Sequence, residues 1–110
     1  MRIINLTPHP ITVAGLTIEP DGRVPRLREE TREVGQLTVD GHTLPVTETV
    51  LGELEGLPEP QRDTIYVVSR LVAEAAPARE DLYFPGRLVR DEAGRVVGAE
   101  SLARLPRTGR

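Results

Sequence analysis

Thr64-Ile65-Tyr66-Val67-Val68-Ser69-Arg70-Leu71-Val72-Ala73-Glu74-Ala75-Ala76-Pro77 decides the fold. Its first five residues are an unbroken β-branched and aromatic run, the pattern of a buried strand. Ser69 follows directly. A serine just ahead of an apolar periodic stretch caps a helix, because its hydroxyl accepts a hydrogen bond from a backbone N–H that lacks an intrahelical partner. Leu71, Val72, Ala75 and Ala76 place apolar groups on one face, and Pro77 ends the element. The reading is a central strand feeding a helix of about two turns, residues 69–76.

Outward from this unit, ten glycines and ten prolines punctuate short apolar runs. Arg2-Ile3-Ile4-Asn5-Leu6 opens as a strand, and Thr7-Pro8-His9-Pro10 then stays extended, since residues before proline avoid the helical region. Ile11-Thr12-Val13 and Leu16-Thr17-Ile18 flank Ala14-Gly15 as a tight hairpin. Asp21-Gly22 turns the chain again. Gln36-Leu37-Thr38-Val39 and His42-Thr43-Leu44-Pro45-Val46 flank Asp40-Gly41, a strong hairpin signal because Asp-Gly supplies the positive φ angles of a type I′ turn. Pro45 restricts its strand to a sheet edge. Residues 52–60 carry too many breakers for a helix and read as a loop, as do residues 78–86. Leu88-Val89-Arg90 and Arg95-Val96-Val97 form a last hairpin around Asp91-Glu92-Ala93-Gly94, and residues 106–110 read as a frayed tail. The expectation is one small domain, residues 1–105, of α+β class: a mainly antiparallel sheet built from hairpins with one short helix.

Composition narrows the functions available. Hydrophobic residues make up 38% of the 110, and Tyr66, Tyr83 and Phe84 are the only aromatics. The core is therefore thin and aliphatic, and a chain of this size gains from self-association, so a homo-oligomer is expected. The absence of cysteine excludes disulfides, thiolate metal sites and a cysteine nucleophile. No apolar run reaches the length of a membrane span, and Met1-Arg2-Ile3-Ile4 leads into polar residues rather than a signal-peptide core. The reading is a soluble intracellular protein. All 14 basic residues are arginine, against 17 acids, for a net charge of −3. They stand beside acids, as in Arg28-Glu29-Glu30-Thr31-Arg32-Glu33, which is not the dense positive face of a duplex nucleic-acid binder.

Catalytic signatures are missing. His9 and His42 have no partner at metal-ligand spacing. Ser69 and Ser101, the only serines, lie outside any Gly-x-Ser-x-Gly elbow. A triad of Ser69, His9 and Asp81 can be drawn, but helix capping explains Ser69 more simply. No phosphate loop is present. The expectation is no catalytic residue, no cofactor and no metal.

Three groups of residues suit a small anionic ligand. Ser69 and Arg70 stand where a strand meets a helix N-terminus, an end that attracts negative charge. Arg79, Asp81, Tyr83 and Phe84 share one stretch, joining a phosphate-pairing fork to aromatic faces on which bases stack. Asn5, Thr7 and His9 alternate with Leu6, so if Leu6 points inward the three line one side of the first strand. Each group also has a purely structural use, in capping, packing or closing a turn.

Asn5-Leu6-Thr7-Pro8-His9, Glu53-Leu54-Glu55-Gly56-Leu57-Pro58-Glu59-Pro60-Gln61 with the strand after it, and Arg79-Glu80-Asp81-Leu82 through Leu88-Val89-Arg90-Asp91 resemble a family of small N-L-T-P-H proteins from tailed bacteriophages and actinobacteria. The likeness covers most of the chain, while residues 11–50 follow it only in hairpin rhythm. What the resemblance implies is a phage setting. A small phage protein without catalytic motifs acts by binding, and by analogy it would sequester a cyclic nucleotide or cyclic ADP-ribose-type immune signal in the host cytoplasm. The alternatives are an inhibitor acting by contact with a host protein, a small hydrolase or phosphodiesterase, and a virion component.

Overall fold

The computed structural model describes residues 1–107. Its elements in chain order are β1 (Arg2–Asn5), β2 (Ile11–Val13), β3 (Leu16–Ile18), β4 (Arg26–Val39), β5 (His42–Glu55), β6 (Thr64–Val67), α1 (Arg70–Ala75), β7 (Leu82–Arg90) and β8 (Val96–Ala103). Six strands form one sheet in the order β1-β6-β7-β8-β2-β3, while β4 and β5 pair only with each other. The chain is α+β, mainly β, with a single short helix.

The quoted unit sits at the centre. Tyr66, Val67 and Val68 are completely buried. Ser69 caps the helix as read, its hydroxyl accepting from the Val72 N–H at 3.2 Å. Val72 and Ala73 press onto Ile4, Leu6, Tyr66, Val68, Leu82 and Phe84, and this cluster is the core. The strands here are parallel: β1 pairs with β6, and β6 with β7. Hairpin signals reveal only antiparallel neighbours. Parallel neighbours are joined by long crossovers, here the helix between β6 and β7 and the 58 residues between β1 and β6. The outer part of the sheet is mixed, with β7 on β8 and β2 on β3 antiparallel and β2 on β8 parallel. A single residue pair, Val13 with Ala99, joins β8 to β2.

Three loop and strand limits differ from the sequence reading. Leu82 to Gly86 is not loop but the first part of β7, since Pro85 pairs with Leu102 in a ladder where its missing N–H is tolerated. The strand of β8 runs to Ala103 rather than stopping at Val97. The hairpin around Asp40-Gly41 is much longer than residues 36–46: its strands have 14 residues each and absorb Gly52 to Glu55, leaving the loop to begin at Gly56. Glycine in residues 52–60 argues against helix but not against an exposed strand. Both turn residues have positive φ, 50° at Asp40 and 79° at Gly41, the type I′ geometry that Asp-Gly favours.

This β4–β5 arm is the unusual part. None of its strand residues is buried, and only Leu27, Val46 and Leu54 are partly covered. At ~3.3 Å per residue each strand spans about 46 Å, and the molecule measures 59 Å along one axis against 38 and 33 Å along the others. Register assigns the distal faces. Val39 with His42, Leu37 with Leu44 and Gly35 with Val46 share one face, and Thr38 with Thr43 and Gln36 with Pro45 share the other. The arm is amphipathic, with its apolar face open.

Candidate functional site

The best-formed cavity, about 180 Å³, lies between the C-terminal end of α1, residues 78–80 and the segment after β8. Arg79, Arg104 and Arg107 line it, over an apolar wall of Ala73, Leu82 and Leu105. Arg79 is there because Pro77 stops the helix and turns the chain toward β7. Its guanidinium makes two parallel hydrogen bonds to Asp81, Nε to Oδ1 and Nη2 to Oδ2, both at 2.9 Å. Both side chains are about four-fifths covered, at 19% and 18% exposure. The hydrogen bond to Asp81 holds the Arg79 pKa above the ordinary guanidinium value against the opposing effect of desolvation. The fork also lies over the Tyr66 ring, 6.0 Å from its centroid, and the Tyr66 hydroxyl donates to the Glu59 carbonyl at 3.1 Å.

Arg107 reaches back across the opening. Its guanidinium lies 3.5 Å from the Glu80 carboxylate and donates to the Glu80 carbonyl at 3.4 Å. On the other side of this contact a shallower hollow of about 340 Å³ continues over Pro60, Ile65 and Asp81. Arg104 is exposed and has no ion-pair partner among the described residues. Arginine geometry suits phosphate and carboxylate bidentately, and this cavity matches one such group in size rather than a whole nucleotide.

The three groups of expected site residues do not converge. Of the Arg79 group, Arg79 lines the cavity and Asp81 holds it, whereas Phe84 is in the core cluster and Tyr83 is half-buried in β7. Ser69 and Arg70 are at the other end of α1. Arg70 lies over the Phe84 ring at 5.8 Å and contacts Glu74 at 3.4 Å, while Ser69 is engaged as the cap and the helix has only six residues.

Asn5, Thr7 and His9 are bound to one another rather than open to a ligand. Asn5 is buried beside Leu6, with 1% exposure each. Its amide donates to the His9 carbonyl at 2.8 Å and the Ile18 carbonyl at 2.9 Å. Its carbonyl oxygen accepts from the Thr7 N–H at 2.9 Å and the Thr7 hydroxyl at 2.7 Å. All four bonding positions of the amide are filled. The motif closes a turn over the sheet, and the His9 side chain stays exposed.

Arg104 and Arg107 were not visible as site residues in the sequence. Residues 106–110 read as a frayed tail from their terminal position, yet Pro106 and Arg107 line the cavity; residues 108–110 lie outside the described part. Arginines at positions 104 and 107 bracketing Leu105-Pro106 were the available signal. Among the described residues no group of three or more His, Cys, Asp and Glu is arranged to hold a metal ion, and no helix is long and apolar enough to cross a membrane. Compared with protein-family models, with curated proteins and with solved structures, the chain matches none of them.

Proposed function

We propose that the protein is a non-catalytic binding protein that takes a phosphate-bearing small ligand of nucleotide class at the Arg79–Arg104–Arg107 cleft. The observation that carries this reading is the fixed orientation of Arg79. Asp81, which takes the Nε–Nη2 edge, and the Tyr66 ring hold its guanidinium in place, so little side-chain entropy remains to be lost there when an anion arrives, and Arg104, with no ion-pair partner among the described residues, supplies the free charge. The cavity receives the phosphate, and the sugar and base lie beyond Arg107 in the adjoining hollow. Release of the weak Arg107–Glu80 contact joins the two spaces. The residues that a triad would need support binding rather than hydrolysis, because Ser69 is engaged as a cap and Asp81 by Arg79. The N-L-T-P-H resemblance supports a phage setting, in which such a protein would trap a cyclic nucleotide or cyclic ADP-ribose-type signal.

Calorimetric titration with pyrophosphate, cyclic dinucleotides and cyclic ADP-ribose tests the reading. Arg104→Ala is expected to weaken binding by roughly 10- to 150-fold, the equivalent of a charge-assisted hydrogen bond of about 1.5–3 kcal/mol. Bound ligand should be recovered intact after denaturation. Cleaved ligand would replace binding with catalysis, and the absence of heat with every compound would remove the assignment.

A further inference from the structure

Resting on the reading of the cleft as a phosphate site, we infer that Arg107 is a second anion position in it and that the Glu80 carboxylate is held there as an internal stand-in. The cleft then selects a ligand with two adjacent phosphate groups over one with a single phosphate.

The arginines take different places along the cleft. Arg104 lines only the inner cavity, whereas Arg79 and Arg107 line both the cavity and the adjoining hollow. A group held by Arg79 and Arg104 is therefore inside, and a group held by Arg107 is at the junction of the two spaces. Neighbouring positions of this kind suit phosphates joined through a shared oxygen, not phosphates on opposite sides of a large ring.

Charge sets the number of anionic groups. Three arginines and two carboxylates, Glu80 and Asp81, line the two spaces. Asp81 is committed to Arg79 by the paired 2.9 Å hydrogen bonds, and both side chains are largely covered, so that pair stays together. Arg104 is left without an ion-pair partner among the described residues, and Arg107 is left with Glu80. A single phosphate satisfies Arg104 and leaves the Arg107 contact as it is. A diphosphate satisfies both arginines once Glu80 gives way.

Glu80 is placed to give way. Its carboxylate is 3.5 Å from the Arg107 guanidinium, and the two side chains are 72% and 47% exposed. Exposed pairs of this kind add little stability and are screened by salt, so the carboxylate can turn into water at small cost. Arg107 does not leave with it. Its Nη2 also donates to the Glu80 backbone carbonyl at 3.4 Å, an anchor that the side chain's departure leaves in place. The planar fork is then open to phosphate. The inner phosphate holds the outer one beside Arg107, so the exchange costs no further translational freedom.

Calorimetric titration of pyrophosphate and orthophosphate into the parent, Glu80→Gln, Arg107→Ala and the double variant tests this. Both positions are exposed, and circular dichroism verifies that each variant is folded. The parent should bind pyrophosphate more tightly than orthophosphate by at least roughly tenfold. Arg107→Ala should remove most of that margin while changing orthophosphate affinity by less than about threefold. Glu80→Gln should strengthen pyrophosphate binding by about two- to fivefold, the equivalent of one exposed ion pair. The gain should vanish in the double variant, because it comes from freeing Arg107. No gain, or an equal gain in both backgrounds, overturns the stand-in role of Glu80, and a pyrophosphate margin that survives Arg107→Ala overturns the second anion position. In those cases orthophosphate binding that Arg104→Ala weakens leaves the cleft assignment standing. Absence of heat with both anions removes the cleft assignment and the second position together.

Discussion

The sheet around β6 and the β4–β5 arm are both regular β structure, but they are stabilised differently. The sheet and the helix on it hold the buried hydrophobic core, with Tyr66, Val67 and Val68 fully covered and Val72 and Ala73 of the helix sealing one side. The two 14-residue strands of the arm pair along their length, with irregularities between Leu27 and Glu29 and between Glu33 and Gly35, and bury no side chain. Backbone pairing alone adds little net stability, since each hydrogen bond replaces one to water. Apolar burial makes the difference: the sheet has it within the chain, and the strands of the arm do not.

Substitutions in the two regions should separate accordingly. Tyr66→Ala removes a buried ring from beneath the helix and leaves the Glu59 carbonyl without its donor, at a cost of about 3–5 kcal/mol. Against a total of roughly 5–15 kcal/mol for a small domain, urea denaturation should find the variant largely unfolded or close to it. Val50→Ala in the arm, an exposed position, should change the stability of a dilute sample by less than about 0.5 kcal/mol. Equal losses at the two sites would break the distinction.

Asn5→Ala comes next. It deprives the His9 and Ile18 carbonyls and the Thr7 N–H of partners, at about 2–3 kcal/mol, which should lower the melting temperature by roughly 10 °C or more. His9→Ala, altering an exposed side chain, should melt within about 0.5 kcal/mol of the parent. If His9→Ala instead loses ligand while keeping its stability, the N-L-T-P-H turn belongs to the binding site after all.

The smallest effect concerns Asp21, between β3 and the arm. Hydrogen bonding and charge from Arg23, at 2.6 Å, lower its pKa below the ordinary 3.8. A carboxylate depressed on folding contributes stability above its unfolded pKa and loses it as pH falls through the folded value. The small advantage of the parent over Asp21→Asn in urea midpoint should be present near pH 6 and absent near pH 2. An advantage that persists in acid would rule out the ion pair as its source.

The sequence was legible wherever burial and local signals coincided. The β-branched run at residues 64–68, Ser69 as cap, Pro77 as terminator and Asp40-Gly41 as turn all have local causes, and each stands where it was read. The arm was underestimated because Arg28-Glu29-Glu30-Thr31-Arg32-Glu33 has the composition of a solvated surface, and an exposed ribbon has no hydrophobic face along most of its length to report its period. Parallel pairing of β1, β6 and β7 depends on distant segments and left no local trace. Of the candidate site, Arg79 and Asp81 were legible from their shared stretch. Arg104 and Arg107 were not, because the cavity forms only when the end of β8 passes beneath the helix.

Hydrogen exchange followed at two protein concentrations, one dilute and one concentrated, compares the two regions most directly. The β6 amides of residues 64–67 should be protected to the same degree at both, since their burial is internal. The β4–β5 amides, with no side chain buried over them in the chain, should exchange rapidly in the dilute sample. Arm amides as protected as those of β6 in the dilute sample would contradict the account, because the arm would then be holding itself together without buried side chains.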